Sequence, residues 1–227
     1  MKTDMGQVFS KEIVDRIEQS GIIAVLVIDE PQDAIPTAKA LLDGGIDVME
    51  LAFRTSRSLE ALAEIHRNVP QMLAGAGTII SPEQVGQAKE AGAAFGVSPG
   101  LQSRILQEAL RLDFPFAPGL MTPSEIELAL SFGCRQLKLF PAEPLGGMNY
   151  IKAIHAPYAH LGVRFIPLGG LKFTNFSEYI ASPTVLACGG SWLAPRNLIK
   201  EHHWDKITEN TALAVEKIKS VRAEMGR

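Results

Sequence analysis

Short apolar runs and longer amphipathic stretches alternate eight times along this 227-residue chain, and few architectures accept that rhythm. The runs are GIIAVLVI (21–28), IDVMELAF (46–53), QMLAGAG (71–77), AAFGVSPG (93–100), FPFAPG (114–119), RQLKLFP (135–141), VRFIPLGG (163–170) and TVLACGG (184–190). Strands that alternate with helices imply right-handed βαβ units and a parallel sheet. Eight such units in this length predict a (β/α)8 barrel, one domain spanning 1–227. A doubly wound open sheet is the alternative that satisfies the same alternation.

The stretches between the runs carry helix signals. Ala34, Ala38, Leu41 and Leu42 form one face, and Gly44-Gly45 stops that helix. Ser81-Pro82-Glu83 reads as an N-cap followed by proline at the first helical position. Residues 1–20, around KEIVDRIEQ, predict an extra N-terminal helix with Ile13, Val14 and Ile17 as its apolar side, capping the bottom of a barrel built from 21–227. In the last helix, Leu213, Ile218 and Val221 read as a core stripe.

Composition removes several classes of function. A hydrophobic content of 46% in a chain this long supplies a core without a metal or a disulfide. With 22 basic against 25 acidic residues, bulk charge does not recruit nucleic acid. The longest apolar run, Gly21 to Ile28, falls far short of the roughly 20 residues of a membrane span. MKTDMGQVFSKEIVDR has no apolar core of the secretory kind. Cys134 and Cys188 lie far apart in sequence, so a reduced, cytoplasmic interior is the expected setting.

Barrel enzymes carry their chemistry at the C-terminal ends of strands. In RQLKLFPAE, alternation puts Leu137 and Leu139 on one face and Gln136, Lys138 and Phe140 on the other. With the leucines packed outward on helices, Lys138 points into the interior. An ammonium there gives up its proton and attacks carbonyls, or it is salt-bridged to a neighbour or snorkels to the rim. In VMELAFRT the same logic sends Met49, Leu51 and Phe53 outward and Glu50 and Arg54 inward. Glu50 is then a proton shuttle or a structural ion partner. Arg54 offers a planar fork suited to a carboxylate or a phosphate.

Three glycine-rich ends remain. GAGT (75–78) is read as letting backbone approach a ligand, with the Thr78 hydroxyl at its end. PLGG (167–170) and CGGS (188–191) close the seventh and eighth runs, where barrels build phosphate sites from backbone N–H groups and a helix N-terminus. Ser191 would add a hydroxyl. Each glycine pair alone is equally a tight turn. Trp192 reads as packing, and Cys134 and Cys188 as small buried apolar groups. His66, His155, His160, His202 and His203 show no ligand spacing, so no metal is expected.

Together these motifs resemble the 2-keto-3-deoxy-6-phosphogluconate and 2-keto-4-hydroxyglutarate aldolases, class I lyases on a (β/α)8 barrel. VMELAFRT, GAGT, SPG (98–100), PG (118–119), KLFPAE and GGSWL carry the resemblance from about Gly21 to the last helix. It implies Lys138 as the Schiff-base lysine and Glu50 as the proton relay. It also implies Arg54 and Thr78 on the carboxylate of pyruvate, and Gly169, Gly170, Gly190 and Ser191 on a phosphate, with Pro99 and Phe140 lining the pocket. No cofactor and no metal are implied, and a homotrimer acting on a small 2-keto acid is. Leu168 departs from the family, which often has a threonine there, and Leu171-Lys172-Phe173 depart from its commoner polar pattern. Two rivals stand beside this reading. One is another phosphate-binding barrel enzyme, an epimerase or isomerase; the other is a non-catalytic barrel that binds sugar acids.

Overall fold

A computed structural model describes residues 9–226. The expected helix over 1–20 lies partly outside the described residues. Its observed part, α1 (Lys11–Ser20), starts at Ser10, whose hydroxyl accepts the Ile13 N–H, and ends at Gly21 in the left-handed region.

The eight apolar runs form nine parallel strands: β1 (Ile22–Leu26), β2 (Val48–Ala52), β3 (Leu73–Gly77), β4 (Gly96–Val97), β5 (Phe116–Ala117), β6 (Gly119–Leu120), β7 (Gln136–Leu139), β8 (Arg164–Pro167) and β9 (Cys188–Gly190). The extra strand arises because the fifth run is interrupted at Pro118, which has no N–H to donate to a ladder. Hydrogen bonding orders one curled sheet as β5-β4-β3-β2-β1-β9 and a second as β6-β7-β8. A single parallel bridge, Phe165 to Val185, links β8 to the segment entering β9.

Helices separate the strands: α2 (Ala34–Asp43), α3 (Ser58–Asn68), α4 (Pro82–Glu90), α5 (Ser103–Arg111), α6 (Pro123–Ser131), α7 (Gly147–His155), α8 (Phe176–Ile180), α9 (Arg196–Lys200) and α10 (Trp204–Glu224). At the start of α4, Ser81 and Gln84 close a reciprocal capping box, and Thr122 and Glu125 do the same for α6. Both helices have proline at the first position. In α10 the buried residues are Ile207, Thr211, Ala214, Ile218 and Val221. Leu213 is 44% exposed, which corrects its assignment to the core stripe: the alternating steps of four and three that run from Ile207 to Val221 skip position 213.

Side chains alternate across the sheet into two cores. Met49, Leu51, Leu137 and Leu139 join the large outer core beneath the helices. Ile23, Val48, Leu73, Phe95, Ile166, Leu168 and Leu186 form a smaller inner core, into which Phe9 and Ile17 pack. Two ion pairs fasten α1 to the sheet: Arg16 to Asp47 at 2.7 Å, and Arg164 to Glu18 through two bonds of 2.7 and 2.8 Å.

Candidate active site

Glu50 lies in the middle of β2 and Lys138 in the middle of β7, on strands that belong to different sheets. Both side chains point to the inner side, as the outward-facing neighbours Met49, Leu51, Leu137 and Leu139 require. They meet there. Lys138 Nζ donates to Glu50 Oε1 at 2.9 Å and lies 3.3 Å from Oε2, and the two residues are 5% and 3% exposed. The pair is desolvated, so removing either partner would strand a charge. Nζ also lies 5.8 Å from the centre of the Phe140 ring, within reach of a cation–π attraction.

The remaining expected site residues gather at the C-terminal ends of the parallel strands. Arg54 follows β2, is exposed, and its guanidinium makes no hydrogen bond or ion pair with any described residue. Thr78 follows β3 with φ of 59°, a left-handed conformation that a β-branched residue rarely adopts. Such strain is held only where the surroundings over-determine it. Pro99 follows β4 and Phe140 follows β7, the latter 38% exposed at the rim. Gly169 and Gly170 follow β8 with φ of 93° and 87°. Gly190 ends β9 and Ser191 is exposed just beyond it.

The glycines of GAGT have a different cause from the one expected. A Cβ on Gly77 would overlap the Glu50 carboxylate, and one on Gly75 would overlap the Phe95 ring. They make room for protein side chains, and Gly77 in particular lets Glu50 reach Lys138. The helices after the two late glycine loops start only at Phe176 and Arg196, so those loops present backbone rather than a helix end. Leu168 is buried in the inner core, its side chain filling the space where a Cβ on Gly189 would be.

Three groups that sequence reasoning passed over hold the rim together. Ser98 is buried; its hydroxyl accepts the Gly119 N–H at 3.3 Å and donates to Gly100 O at 2.6 Å. This locks SPG onto the interrupted fifth run. The Ala142 and Glu143 N–H groups donate to Leu168 O and Gly169 O at 2.6 and 3.0 Å. The Tyr179 hydroxyl donates to the Glu143 carboxylate, and desolvation by burial pushes that phenol far above its ordinary range. The loop after the lysine strand is thus tied to the Gly169-Gly170 loop. Burial also raises Cys134 to about 12 and Cys188 higher still, so neither is a thiolate. Among the described residues no group of three or more His, Cys, Asp or Glu is placed to hold a metal ion.

The chain and its fold have known counterparts. A family model described as KDPG and KHG aldolase matches residues 13–210. The 2-dehydro-3-deoxy-phosphogluconate aldolase of Treponema pallidum is 43% identical over 196 residues, 86% of this chain and 92% of that one. The KHG/KDPG aldolase of Escherichia coli K12 is 39% identical over 195 residues, 86% and 91% of the two chains. Among solved structures, KDPG aldolase from Legionella pneumophila, holding pyruvate as a covalent carbinolamine, superposes with a TM-score of 0.85 at 38% identity, covering 88% of this chain and 97% of that one. The Zymomonas mobilis enzyme with 3-phosphoglycerate gives 0.81 at 34% identity, covering 90% and 96%. With a family model spanning most of its length and relatives of about 40% identity on either side of it, the chain belongs to the KDPG and KHG aldolases, which are carbon–carbon lyases.

Proposed function

We propose that this chain is a class I aldolase that cleaves 2-keto-3-deoxy-6-phosphogluconate, or 4-hydroxy-2-oxoglutarate, to pyruvate and an aldehyde. The aldehyde is glyceraldehyde 3-phosphate in the first case and glyoxylate in the second. One observation carries the reading: a buried lysine on an inward strand face, 2.9 Å from a buried carboxylate, below a rim of glycine loops. The relative that holds pyruvate as a carbinolamine gives the same chemistry independent support.

In this scheme Lys138 passes a proton to Glu50 and its free amine adds to the C2 ketone. Glu50 returns that proton to the carbinolamine hydroxyl, which leaves as water, so a protonated imine stands beside a carboxylate again; the imine acts as the electron sink. Glu50, through a water, takes the proton of the C4 hydroxyl. The C3–C4 bond breaks, its electrons flow into the imine, and the aldehyde leaves. Glu50 returns a proton to C3 of the enamine, and water then releases pyruvate and the lysine. Arg54 and the Thr78 hydroxyl hold the pyruvate carboxylate. The backbone of Gly169, Gly170 and Gly190, with the Ser191 hydroxyl, holds the phosphate, while Pro99 and Phe140 line the entrance.

The finer architecture belongs to the same proposal. The two sheets share the fifth run, β1 pairs with β9, and the Phe165–Val185 bridge spans the remaining gap; these pairings support a closed (β/α)8 barrel in one domain, with α1 as its lower plug. Exposed Ile80, Leu110, Met121 and Leu128 lie on consecutive units and support self-association, here as a homotrimer. Two free, buried cysteines favour a cytoplasmic setting, and among the described residues no helix is long and apolar enough to cross a membrane. An epimerase or isomerase would use the rim but has no need of the strand lysine.

Pyruvate with borohydride should leave a reduced adduct on Lys138, located by mass spectrometry. Lys138→Arg should take no label and cleave neither substrate, because a guanidinium stays protonated. A label on another lysine, or none, would overturn the scheme.

A further inference from the structure

We propose that Lys172 supplies the charge that holds a substrate's terminal phosphate, and so sets this enzyme's preference for phosphorylated over unphosphorylated substrates. The inference deepens the aldolase reading and rests on it. The groups assigned to the phosphate so far are backbone N–H donors and one hydroxyl, all neutral. A dianion at such a site calls for a counter-charge, and the loops themselves must provide it.

Between Gly169 and Lys200 the chain carries three cations, Lys172, Arg196 and Lys200. Arg196 and Lys200 are both committed to Asp29, Arg196 through an Nε bond of 2.8 Å and Lys200 at 3.3 Å. The Lys172 side chain is exposed and makes no hydrogen bond or ion pair with any described residue. It stands two positions after Gly170, with only Leu171 between, which limits their Cα atoms to about 7 Å. A four-carbon stem covers that distance.

Its backbone is held on both sides. The Lys172 N–H donates to Asn175 Oδ1 at 2.7 Å, closing the turn that follows the glycines. The next residue, Phe173, packs edge-on against Trp192 with ring centres 5.6 Å apart. Trp192 directly follows Ser191, so this contact joins the two loops assigned to the phosphate, with Lys172 next to it in sequence. The one acidic residue in the same stretch, Glu178, lies on α8.

The test compares 2-keto-3-deoxy-6-phosphogluconate with 4-hydroxy-2-oxoglutarate in steady-state kinetics, for the parent, Lys172→Met and Lys172→Arg, at low and at physiological salt. Position 172 is exposed, so neither change disturbs packing. In Lys172→Met the ratio of kcat/KM for the phosphorylated over the unphosphorylated substrate should fall about fivefold, the effect of one well-placed exposed charge pair. The loss should appear in KM for the phosphorylated substrate, its salt dependence should flatten, and Lys172→Arg should restore the ratio. A ratio that does not depend on residue 172, or a loss shared equally by both substrates, overturns the inference and leaves the aldolase reading standing. A parent that cleaves neither substrate overturns both.

Discussion

A methyl group on Gly77 would overlap the Glu50 carboxylate, so the reach of Glu50 toward Lys138 depends on a side chain that is missing from β3, the strand next to that of Glu50. Gly77→Ala should therefore turn Glu50 aside and cut kcat by roughly 10²–10⁴-fold, the usual worth of a positioned acid–base group. Circular dichroism should stay native, since Gly77 is not in the left-handed region and alanine suits a strand there. Turnover within a few-fold of the parent would show that Glu50 has room to spare. The directions of Lys138 and Glu50 were legible because each sits between residues, Leu137 and Leu139 or Met49 and Leu51, whose only comfortable place is under a helix. The purpose of Gly75 and Gly77 was not. A glycine's cause is whatever occupies its empty side, and here those are Phe95 and Glu50, residues that alternation cannot pair with it.

Among the elements, α9 is anchored to the loop after β1 by one carboxylate. Asp29 binds Arg196 and Lys200, and the hydrogen bond from Arg196 holds its carboxyl at about 2 against an ordinary 3.8. A carboxyl lowered by folding contributes stability above its unfolded value and loses it as pH falls through the folded one. The thermal midpoint of Asp29→Asn should thus lie below the parent's between about pH 5 and 7, and the gap should close as pH approaches 2. The effect stays small, because Arg196 and Lys200 are half exposed and an exposed pair contributes under about 1 kcal/mol. A gap that persists at the acid end would assign it to packing. Element boundaries were legible where a cap is local, as with Ser81 and Pro82. The α10 stripe was misread at Leu213 because apolar character alone does not fix the phase of a long helix. The buried Thr211, satisfied by Ile207 O at 2.7 Å, carries that phase instead.

For the molecule as a whole, the eightfold alternation was enough to reach parallel strands under a shell of helices. The interruption at Pro118 was hidden inside an apolar run, and the joining of the sheets rests on backbone bonds that no side-chain pattern records. Ile17 is fully buried where α1 enters the inner core. Ile17→Ala should lower unfolding free energy by about 2–5 kcal/mol, read from urea melts with an unchanged slope. A shift below about 0.5 kcal/mol, typical of surface sites, would mean that α1 rests on the sheet without plugging it. If the plug holds, Phe9 and Ile17 turn the inner space into a cul-de-sac with a single door at the rim. The fragment still joined to Lys138 then sits behind the fragment just released. The aldehyde has to vacate before pyruvate can follow, and in the condensing direction pyruvate has to enter first. A helix that touches neither molecule would decide the order of their traffic.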